Sequence, residues 1–177
     1  MGQDNLSKAR NQEYNSLYMA VDAILDDIDA KILTILQDNG RTTQSDIAKA
    51  VGLAPSAVME RMRKLEARGA IRDYVAAIDP HVANRSLLAF VAVRTNEYGM
   101  EQPSAKALAQ IPEVLEIHHV AGEDCLFLKV RAKDAEHLGQ MLRGQIASIP
   151  GVTSTRTTIV LETVKETSRI PIVRSES

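Results

Sequence analysis

Basic side chains are concentrated in one short part of a chain whose formal net charge is −2. Residues 54–72 contain five basic residues and only two acidic ones, Glu60 and Glu66, which gives this stretch a local charge of +3. The basic residues are Arg61, Arg63, Lys64, Arg68 and Arg72. Arginine and lysine bind phosphates and the edges of bases, so a nucleic acid is a candidate partner. On charge alone, a solvated helix face explains the pattern equally well.

Residue types that catalyse reactions are few and scattered. His118 and His119 are adjacent in a predicted strand, where neighbouring side chains point to opposite faces and cannot act on one ligand. The single cysteine, Cys125, is expected to be a small buried residue. The sequence contains no phosphate-binding glycine loop, nucleophile elbow or cluster of metal ligands. We therefore expect no enzyme, no catalytic residue and no metal site.

The composition is that of a globular protein, with 177 residues, 45% of them hydrophobic and 25% charged. No apolar run reaches the ~18 residues that cross a membrane, and residues 1–5 lack the pattern of a secretory signal. One cysteine excludes an internal disulfide framework. We therefore expect a cytoplasmic protein with no membrane partner. Four tyrosines, two phenylalanines and no tryptophan argue against binding single strands by base stacking.

An apolar pattern at helical spacing predicts a helix over residues 12–25, and two further helices are predicted before the basic stretch. Asp26 favours a helix start because its carboxylate can accept bonds from free backbone N–H groups, and the pair at 39–40, Asn-Gly, favours its end. A second helix is predicted over residues 43–51. Thr43 and Asp46 resemble a capping box, with aspartate in place of the usual glutamate.

A third helix is predicted over residues 55–68, after a short turn. Pro55 suits the first helical position and Gly69 suits the end. Two helices joined by a tight turn form the helix-turn-helix plan, in which the second helix lies in a major groove of double-stranded DNA. Residues 72–78 are then predicted to be extended, as a wing strand or one member of a strand pair.

The basic residues fall outside the predicted buried side of the third helix. Val58, Met62 and Leu65 recur at helical spacing and form that buried side. We expect the DNA-binding residues to be Ser56, Ala57, Glu60, Arg61, Arg63, Lys64 and Arg68. Arg61 and Lys64 can reach bases or phosphates, whereas the other two arginines are expected to meet phosphates.

The second half of the chain alternates strands and helices in the order βαββαβ, the split ferredoxin-like plan. The strands are predicted over 87–95, 114–120, 125–131 and 153–161, and the helices over 103–111 and 134–147. Residues 164–170 are a candidate edge strand. The expected fold class is α+β, an N-terminal (winged) helix-turn-helix domain followed by a ferredoxin-like domain.

The strand predicted over 87–95 carries apolar residues on both faces. Two helices cover only one face of a four-stranded sheet, and soluble monomers rarely expose a large apolar patch. We therefore expect a homodimer, which also suits helix-turn-helix proteins that bind palindromic half-sites. A chain extension over that face, for example residues 12–25, is the alternative.

Several segments together resemble the Lrp/AsnC (leucine-responsive regulator/asparagine-regulator) family of bacterial and archaeal transcription factors. Residues 25–33, LDDIDAKIL, are similar to its opening L-D-x-x-D-x-x-I-L. Residues 51–56 and 60–66, VGLAPS and ERMRKLE, resemble its recognition-helix signature, and Gly69-Ala70-Ile71 matches the G-x-I that follows. The resemblance covers about residues 25–168, and the recognition-helix signature is its most specific part.

The resemblance implies a double-stranded-DNA-binding regulator of amino-acid-related genes, dimers or octamers, and an amino acid effector rather than a cofactor. In the family, effectors bind the regulatory domain near a turn of glycine and acidic residues. By position, this implies effector-binding residues Val120, Ala121, Gly122, Glu123, Asp124 and Cys125. The N–H groups of such a turn can hold a carboxylate, and an acidic side chain can hold an ammonium group. A plain hairpin turn with solvated acids is the alternative.

With the resemblance, the expected organisation has five parts. They are a tail and extra helix at 1–24, a helix-turn-helix domain at 25–74, a linker strand at 75–85, a ferredoxin-like effector-binding and oligomerisation domain at 86–170, and a flexible tail at 171–177.

The sequence departs from the family pattern at two places. Ala54 stands where the family often has a capping serine, which weakens that helix start by ~1 kcal/mol. The family turn often reads G-x-x-D, whereas here the acidic pair comes one step earlier and Cys125 takes the later place. The identity of the effector therefore stays open.

Two other functions stay open beside the regulator. One is an architectural DNA-binding protein that needs no effector, and a nucleoid-associated location suits either DNA-binding protein. The other is an enzyme similar to the siroheme decarboxylases, which resemble the family in architecture. The basic third helix has no purpose in that enzyme, and the geometry of His118 and His119 argues against it.

Overall fold

The computed structural model describes residues 25–97, 102–122 and 125–172. Its contacts divide the chain into two compact units, one containing the residues up to Ala76 and the segment from Thr167, the other containing Ala77–Glu166. The extra helix that we expected within residues 1–24 lies outside the described residues. The segment from Thr167, which we expected in the second domain, groups with the first unit.

The first unit contains the three predicted helices. Helix α1 spans Asp27–Asp38, α2 spans Gln44–Val51 and α3 spans Pro55–Ala67. Their apolar faces meet in one core, because each helix carries an apolar stripe at helical spacing. The buried members of that core are Ile32, Ile47, Ala48, Val58 and Leu65. The predicted helix-turn-helix is confirmed.

Local signals begin and end these helices where the sequence predicts. Asp26 caps α1, since its Oδ1 accepts a hydrogen bond of 2.7 Å from the N–H of Asp29. Thr43 caps α2, accepting from the N–H of Asp46 at 3.2 Å while its hydroxyl donates to Asp46 Oδ2 at 2.7 Å. Gly52 ends α2 with a φ of +72°, a left-handed conformation that glycine adopts at little steric cost.

The chain after α3 differs from the expected wing. Gly69 turns it with a φ of +72°, and the N–H of Ile71 donates to the carbonyl of Leu65 at 3.1 Å. Residues 72–79 then form no strand with any described residue, and neither does the rest of the expected linker strand at 75–85. A strand needs a neighbour for its backbone groups, and the described part of this chain supplies none there.

The C-terminal segment contacts α1. The edge strand that we expected over 164–170 does not form; the prediction was wrong because the backbone there pairs with a side chain instead. The N–H of Ile170 donates to Gln37 Oε1 at 2.7 Å, and Gln37 Nε2 donates to the carbonyl of Ile170 at 2.9 Å. Arg169 Nη1 adds an ion pair of 3.0 Å with Asp38 Oδ1.

The second unit is a four-stranded antiparallel sheet with helices on one face. Its elements are β1 (Leu87–Thr95), α4 (Pro103–Leu108), β2 (Val114–His119), β3 (Leu126–Ala132), α5 (Ala135–Met141) and β4 (Val152–Ile159). The strand order β2-β3-β1-β4 places the first and third strands in the centre. Together with the βαββαβ succession, this order confirms the ferredoxin-like fold.

Alternate residues of the central strands form the core under the helices. In β1 and β3 these are Ala89, Val91, Val93, Leu126, Leu128 and Val130. The helices contribute Leu108, Leu138 and Met141 from α4 and α5. After α5 the chain makes one π-helical turn, Leu142–Ile146, so the helix predicted over 134–147 forms with a changed hydrogen-bond pattern at its end.

The opposite face of the sheet, which we call the open face, has an aromatic centre and charged flanks. Phe90 and Phe127 stack with ring centroids 5.6 Å apart and an interplanar angle of 18°. Beside them, Lys129 Nζ pairs with Glu116 Oε1 at 3.1 Å and with Glu166 Oε1 at 2.5 Å. Because of these ion pairs, the apolar patch on the open face is narrower than the apolar residues of β1 alone indicate.

Candidate functional site

Helix α3 is fixed by its apolar side. Val58 and Leu65 have no exposed surface, and they lie two helical turns apart on one stripe. Met62 packs beside them against the same core. The helix begins after Ala54 with no side-chain cap, as expected from the missing serine. The opposite side of α3 therefore faces away from the three-helix core.

That opposite side, the outer face of α3, is defined by five exposed residues. They are Ser56, Met59, Glu60, Arg63 and Lys64. Lys64 Nζ lies 3.7 Å from Glu60 Oε1, a separation typical of a weak exposed pair. Arg63 forms no ion pair with any residue of the described ranges, so its guanidinium is available to a ligand.

Arg61 points to α1 instead of the outer face. Its Nη1 lies 2.6 Å from Asp26 Oδ2 and 2.9 Å from Asp29 Oδ1. Only 30% of its side chain is exposed. The guanidinium that we expected to contact DNA therefore already has two carboxylate partners within the protein.

Arg68 has the same kind of partner. Its Nη2 lies 2.9 Å from Asp29 Oδ2, so Asp29 binds one arginine with each carboxylate oxygen. The Asp29 side chain is 12% exposed, which strengthens charge-assisted hydrogen bonds relative to those in water. We call Asp26, Asp29, Arg61 and Arg68 the carboxylate–arginine network.

The protonation states of this network follow from its hydrogen bonds. The N–H of Asp29 holds the pKa of the Asp26 carboxyl below its ordinary value of 3.8, burial opposes this, and Arg61 adds to the lowering. Hydrogen bonds to Asp26 and then to Asp29 raise the pKa of Arg61. Asp26 and Arg61 are thus both charged at neutral pH.

The seven residues that the sequence predicts for DNA binding therefore divide into two sets. Ser56, Glu60, Arg63 and Lys64 lie on the outer face, with Ala57 half-buried beside them. Arg61 and Arg68 belong to the carboxylate–arginine network. Met59, which is 42% exposed, lies on the outer face and was missed. Its spacing of three from Ser56 and four to Arg63 is the signal that identifies it.

The second candidate site is the turn between β2 and β3. Val120, Ala121 and Gly122 are exposed, and Gly122 has a φ of +147°, which favours glycine. Glu123 and Asp124, the two acidic residues of the expected effector site, lie outside the described residues. These three residues on the N-terminal side of the turn therefore lie at the surface.

Cys125 joins this turn to the end of β1. Its N–H donates to the carbonyl of Val93 at 3.1 Å, and its carbonyl accepts from the N–H of Val120 at 3.2 Å. Its thiol lies 3.7 Å from the carbonyl of Thr95. The Thr95 hydroxyl oxygen is buried and has no hydrogen-bond partner in the described structure. Cys125 is half-buried, so it is more exposed than the small buried residue that we expected.

The two adjacent histidines lie on separate sides, as expected. His118 Nε2 lies 3.2 Å from Glu116 Oε2, beside the ion pairs of the open face. Hydrogen bonds from His118 and then from Lys129 lower the pKa of Glu116. His119 is exposed one position further on.

The described ranges contain neither a cluster of metal ligands nor a membrane-spanning helix. No group of three or more His, Cys, Asp or Glu residues there has the arrangement of a metal site. Among the same residues, no helix has the length and apolar character that a membrane span requires.

Comparisons with known proteins agree with both units. A family model described as the Lrp/AsnC ligand binding domain matches residues 88–170. A second, described as winged helix-turn-helix DNA-binding, matches residues 25–72. The two matches coincide with the sheet and with the three-helix core.

Individual relatives match most of the chain. The HTH-type transcriptional regulator FL11 of Pyrococcus horikoshii is 43% identical over 148 residues, which cover 84% of this chain and 97% of FL11. The leucine-responsive regulatory protein of Salmonella typhimurium is 38% identical over 151 residues, covering 84% and 92%. A crystal structure of a Neisseria meningitidis transcriptional regulator in complex with L-Met is 30% identical, with a TM-score of 0.76 over 83% of this chain and 96% of that one.

Proposed function

This chain belongs to the Lrp/AsnC family of transcriptional regulators, and from that premise we propose which of its residues bind DNA and where its effector binds. It is a regulator with a helix-turn-helix DNA-binding domain and an amino acid-binding domain. The finer assignments depend on how the side chains of α3 and of the turn before β3 are placed.

We propose that the outer face of α3 lies in the major groove of double-stranded DNA. The single observation that carries this is the exposure of Arg63 and Lys64 on the side of α3 opposite the buried Val58 and Leu65. Ser56 at the start of the helix is short, which allows close approach to base edges. Arg63 and Lys64 then contact phosphates or bases.

The charge of Arg61 and Arg68 alone predicts contacts with DNA, but we propose that these two arginines bind the carboxylates of α1 instead. Each guanidinium is bound to carboxylates of α1 at 2.6–2.9 Å, and a DNA contact would compete with these bonds. Arg63 lacks such a partner among the described residues. We therefore propose Arg63 and Lys64, rather than Arg61 and Arg68, as the main cationic contacts to DNA.

DNA binding by the variant Arg63→Gln tests this assignment. The probe is a duplex that the wild-type protein enriches from a random-sequence pool, and affinity is measured by fluorescence anisotropy over a salt series. Losing one phosphate contact reduces the slope of log K against log salt by about 0.9. An unchanged affinity and slope, with the variant folded, would show that α3 does not use this residue on DNA.

We propose that an amino acid effector binds at the turn 120–125. The N–H of Val120 already donates to the carbonyl of Cys125, so the N–H groups of the exposed residues Ala121 and Gly122 are the ones offered to a carboxylate. The acidic residues at 123 and 124 are the candidates for the ammonium group. The Neisseria regulator, a structural relative, was crystallised with L-Met, which supports an amino acid as the ligand class. The regulated genes are then those of amino acid metabolism.

An effector-independent architectural protein is the second candidate function. The observation that favours it is Cys125, which stands at the last position of the turn where the family often has aspartate. A thiol cannot replace a carboxylate as a partner for an ammonium group. Thermal unfolding in the presence of each of the twenty amino acids separates the two functions, since only a bound effector raises the melting temperature.

We infer that the protein acts as a homodimer, with octamers as a further assembly. The aromatic pair Phe90 and Phe127 on the open face supports this, because association would remove apolar surface from water. Twofold symmetry also matches palindromic DNA half-sites.

A cytoplasmic, nucleoid-associated location and the absence of enzyme activity belong to the proposed function of a DNA-binding regulator, since the relatives of this chain are named transcriptional regulators.

A further inference from the structure

We propose that Asp29 is a positioning residue for DNA recognition, which fixes the rotation of α3 about its axis through Arg61 and Arg68. This inference rests on the proposed function of α3 as the DNA-binding element. Asp29 itself contacts no DNA in this proposal. It acts through the direction in which the outer face of α3 points.

Asp29 binds α3 at two points, one in the middle of the helix and one at its end. Its Oδ1 accepts from Arg61 Nη1 and its Oδ2 accepts from Arg68 Nη2, each at 2.9 Å. Arg61 and Arg68 are seven residues apart, so they lie on one side of the helix, two turns apart. One carboxylate therefore holds the middle and the end of α3 at once.

Asp29 is itself held in place. Its backbone N–H donates to Asp26 Oδ1 at 2.7 Å, and Asp26 Oδ2 binds Arg61 at 2.6 Å. Asp29 is among the three buried polar or charged residues of the described structure. A buried carboxylate is costly unless its oxygens are satisfied, and here both oxygens have an arginine partner.

The apolar core alone does not specify the rotation of α3 as tightly. Hydrophobic burial is non-directional, and the apolar stripe of α3 is formed by Val58, Met62 and Leu65. Arginine–carboxylate bonds are directional and short. The network lies on the flank of α3 between the buried stripe and the outer face, where a small rotation would lengthen its bonds.

The opposing explanation is that Arg61 and Arg68 contact DNA and the aspartates only hold them beforehand. The two explanations predict opposite changes in DNA affinity for Asp29→Asn. If the arginines contact DNA, removing a carboxylate frees them and lessens the repulsion of phosphates, so DNA binding tightens. If Asp29 positions α3, the same change loosens the helix and specific binding weakens.

The chain supplies a matched control for the change in charge. Asp27 lies in the same first turn of α1, is exposed, and forms no ion pair with any residue that the structure describes. Asp27→Asn therefore removes the same charge without touching the network. Asp26→Asn is a milder test of the network, because asparagine remains a good N-cap and only the bond to Arg61 is lost.

The experiment measures the affinity of the full chain and its three variants for two duplexes. One is the duplex enriched from a random-sequence pool by the wild-type protein, and the other is a scrambled duplex of equal length. We expect Asp29→Asn to lower the ratio of specific to scrambled affinity by roughly tenfold, about the loss of one base-pair contact. We expect Asp26→Asn to lower it less, and Asp27→Asn to leave it unchanged.

The ratio separates positioning from a loss of folded protein. Partial unfolding lowers both affinities by one factor and leaves their ratio unchanged, which would overturn the proposal. Tighter specific binding by Asp29→Asn would overturn it as well, in favour of direct contact by the arginines.

If Asp29→Asn does not fold, the ratio of specific to scrambled affinity measured for Asp26→Asn tests the proposal in its place. If Arg63→Gln leaves DNA binding unaltered, the proposed function of α3 fails as well. If Arg63→Gln binds DNA more weakly while Asp29→Asn keeps the wild-type ratio of affinities, only the inference about Asp29 fails.

Discussion

Arg61 Nη1 lies 2.6 Å from Asp26 Oδ2, so the aspartate that caps α1 also holds the middle of α3. The two residues are 35 positions apart in the chain. One side chain thereby serves two purposes, since its other oxygen accepts the N–H that begins α1. The start of the first helix and the placement of the third are coupled through this carboxylate.

The first prediction concerns the pH dependence of this coupling. The N–H of Asp29, and more weakly Arg61, lower the pKa of Asp26 below 3.8. A group whose pKa is lowered on folding stabilises the protein above its unfolded pKa and loses that contribution as pH falls through the folded pKa. The free-energy difference between wild type and Asp26→Asn should therefore be largest at neutral pH and shrink below about pH 4.

Denaturant unfolding at a series of pH values measures this difference. Asp27→Asn, which removes a carboxylate from the same turn without touching Arg61, is the control. A difference between wild type and Asp26→Asn that stays constant from neutral pH into this acid range would contradict the assigned contact.

The second prediction concerns the two sides of α3. Leu65 is fully buried, so Leu65→Ala should lower the free energy of unfolding by about 2–5 kcal/mol. Met59, on the outer face of the same helix, should tolerate alanine within about 0.5 kcal/mol. Denaturant unfolding measures both, and equal losses at the two positions would mean that α3 is oriented differently.

Parts of this unit were predictable from the sequence and parts were not. The helix ends were, because Thr43, Gly52 and Gly69 act on their own neighbours along the chain. The partners of Arg61 were not, since Asp26 is remote in sequence and local patterns do not reveal it. The outer face was predictable in part: the charge pattern found Arg63 and Lys64, whereas only helical spacing identifies the uncharged Met59.

The strands show the same division in another form. The run of apolar residues in β1 predicted its bounds, Leu87–Thr95, because a central strand carries apolar residues on both faces. The wing over 72–78 was predicted from the helix-turn-helix plan, and the edge strand over 164–170 was predicted as an addition to the sheet after its last strand. Neither forms here, since a strand also requires a neighbour, and the neighbour is not encoded in the segment itself.

The third prediction concerns pairing through the open face. Phe127 is 37% exposed and stacks on Phe90. Phe127→Glu should convert dimers to monomers, because a charge would be buried without a partner between two copies. Multi-angle light scattering measures the mass, and Phe127→Leu, which remains apolar, should stay dimeric. A Phe127→Glu protein that keeps the mass of a dimer would place the interface elsewhere.

The fourth prediction concerns the effector. At a hundredfold excess over its Kd, a bound amino acid adds about 2.7 kcal/mol of stability, and each kcal/mol raises the melting temperature of a chain of this size by roughly 2–4 °C. The methyl ester of the same amino acid should give no such rise, because it lacks the carboxylate that the turn at 120–122 is proposed to hold. Equal shifts with acid and ester would exclude that mode of binding.

The placement of α3 in the major groove is tested most directly by cleavage of DNA from a tethered iron chelate. The chelate is attached to the cysteine of Met59→Cys, on the outer face of α3, in a Cys125→Ser background. The control is Lys31→Cys in the same background, which carries the chelate at an exposed position of α1. We predict strong cleavage from position 59 within each half-site of the enriched duplex, and weaker cleavage from position 31. Bound protein that cleaves no DNA from position 59, or cleaves equally from both, would contradict the account.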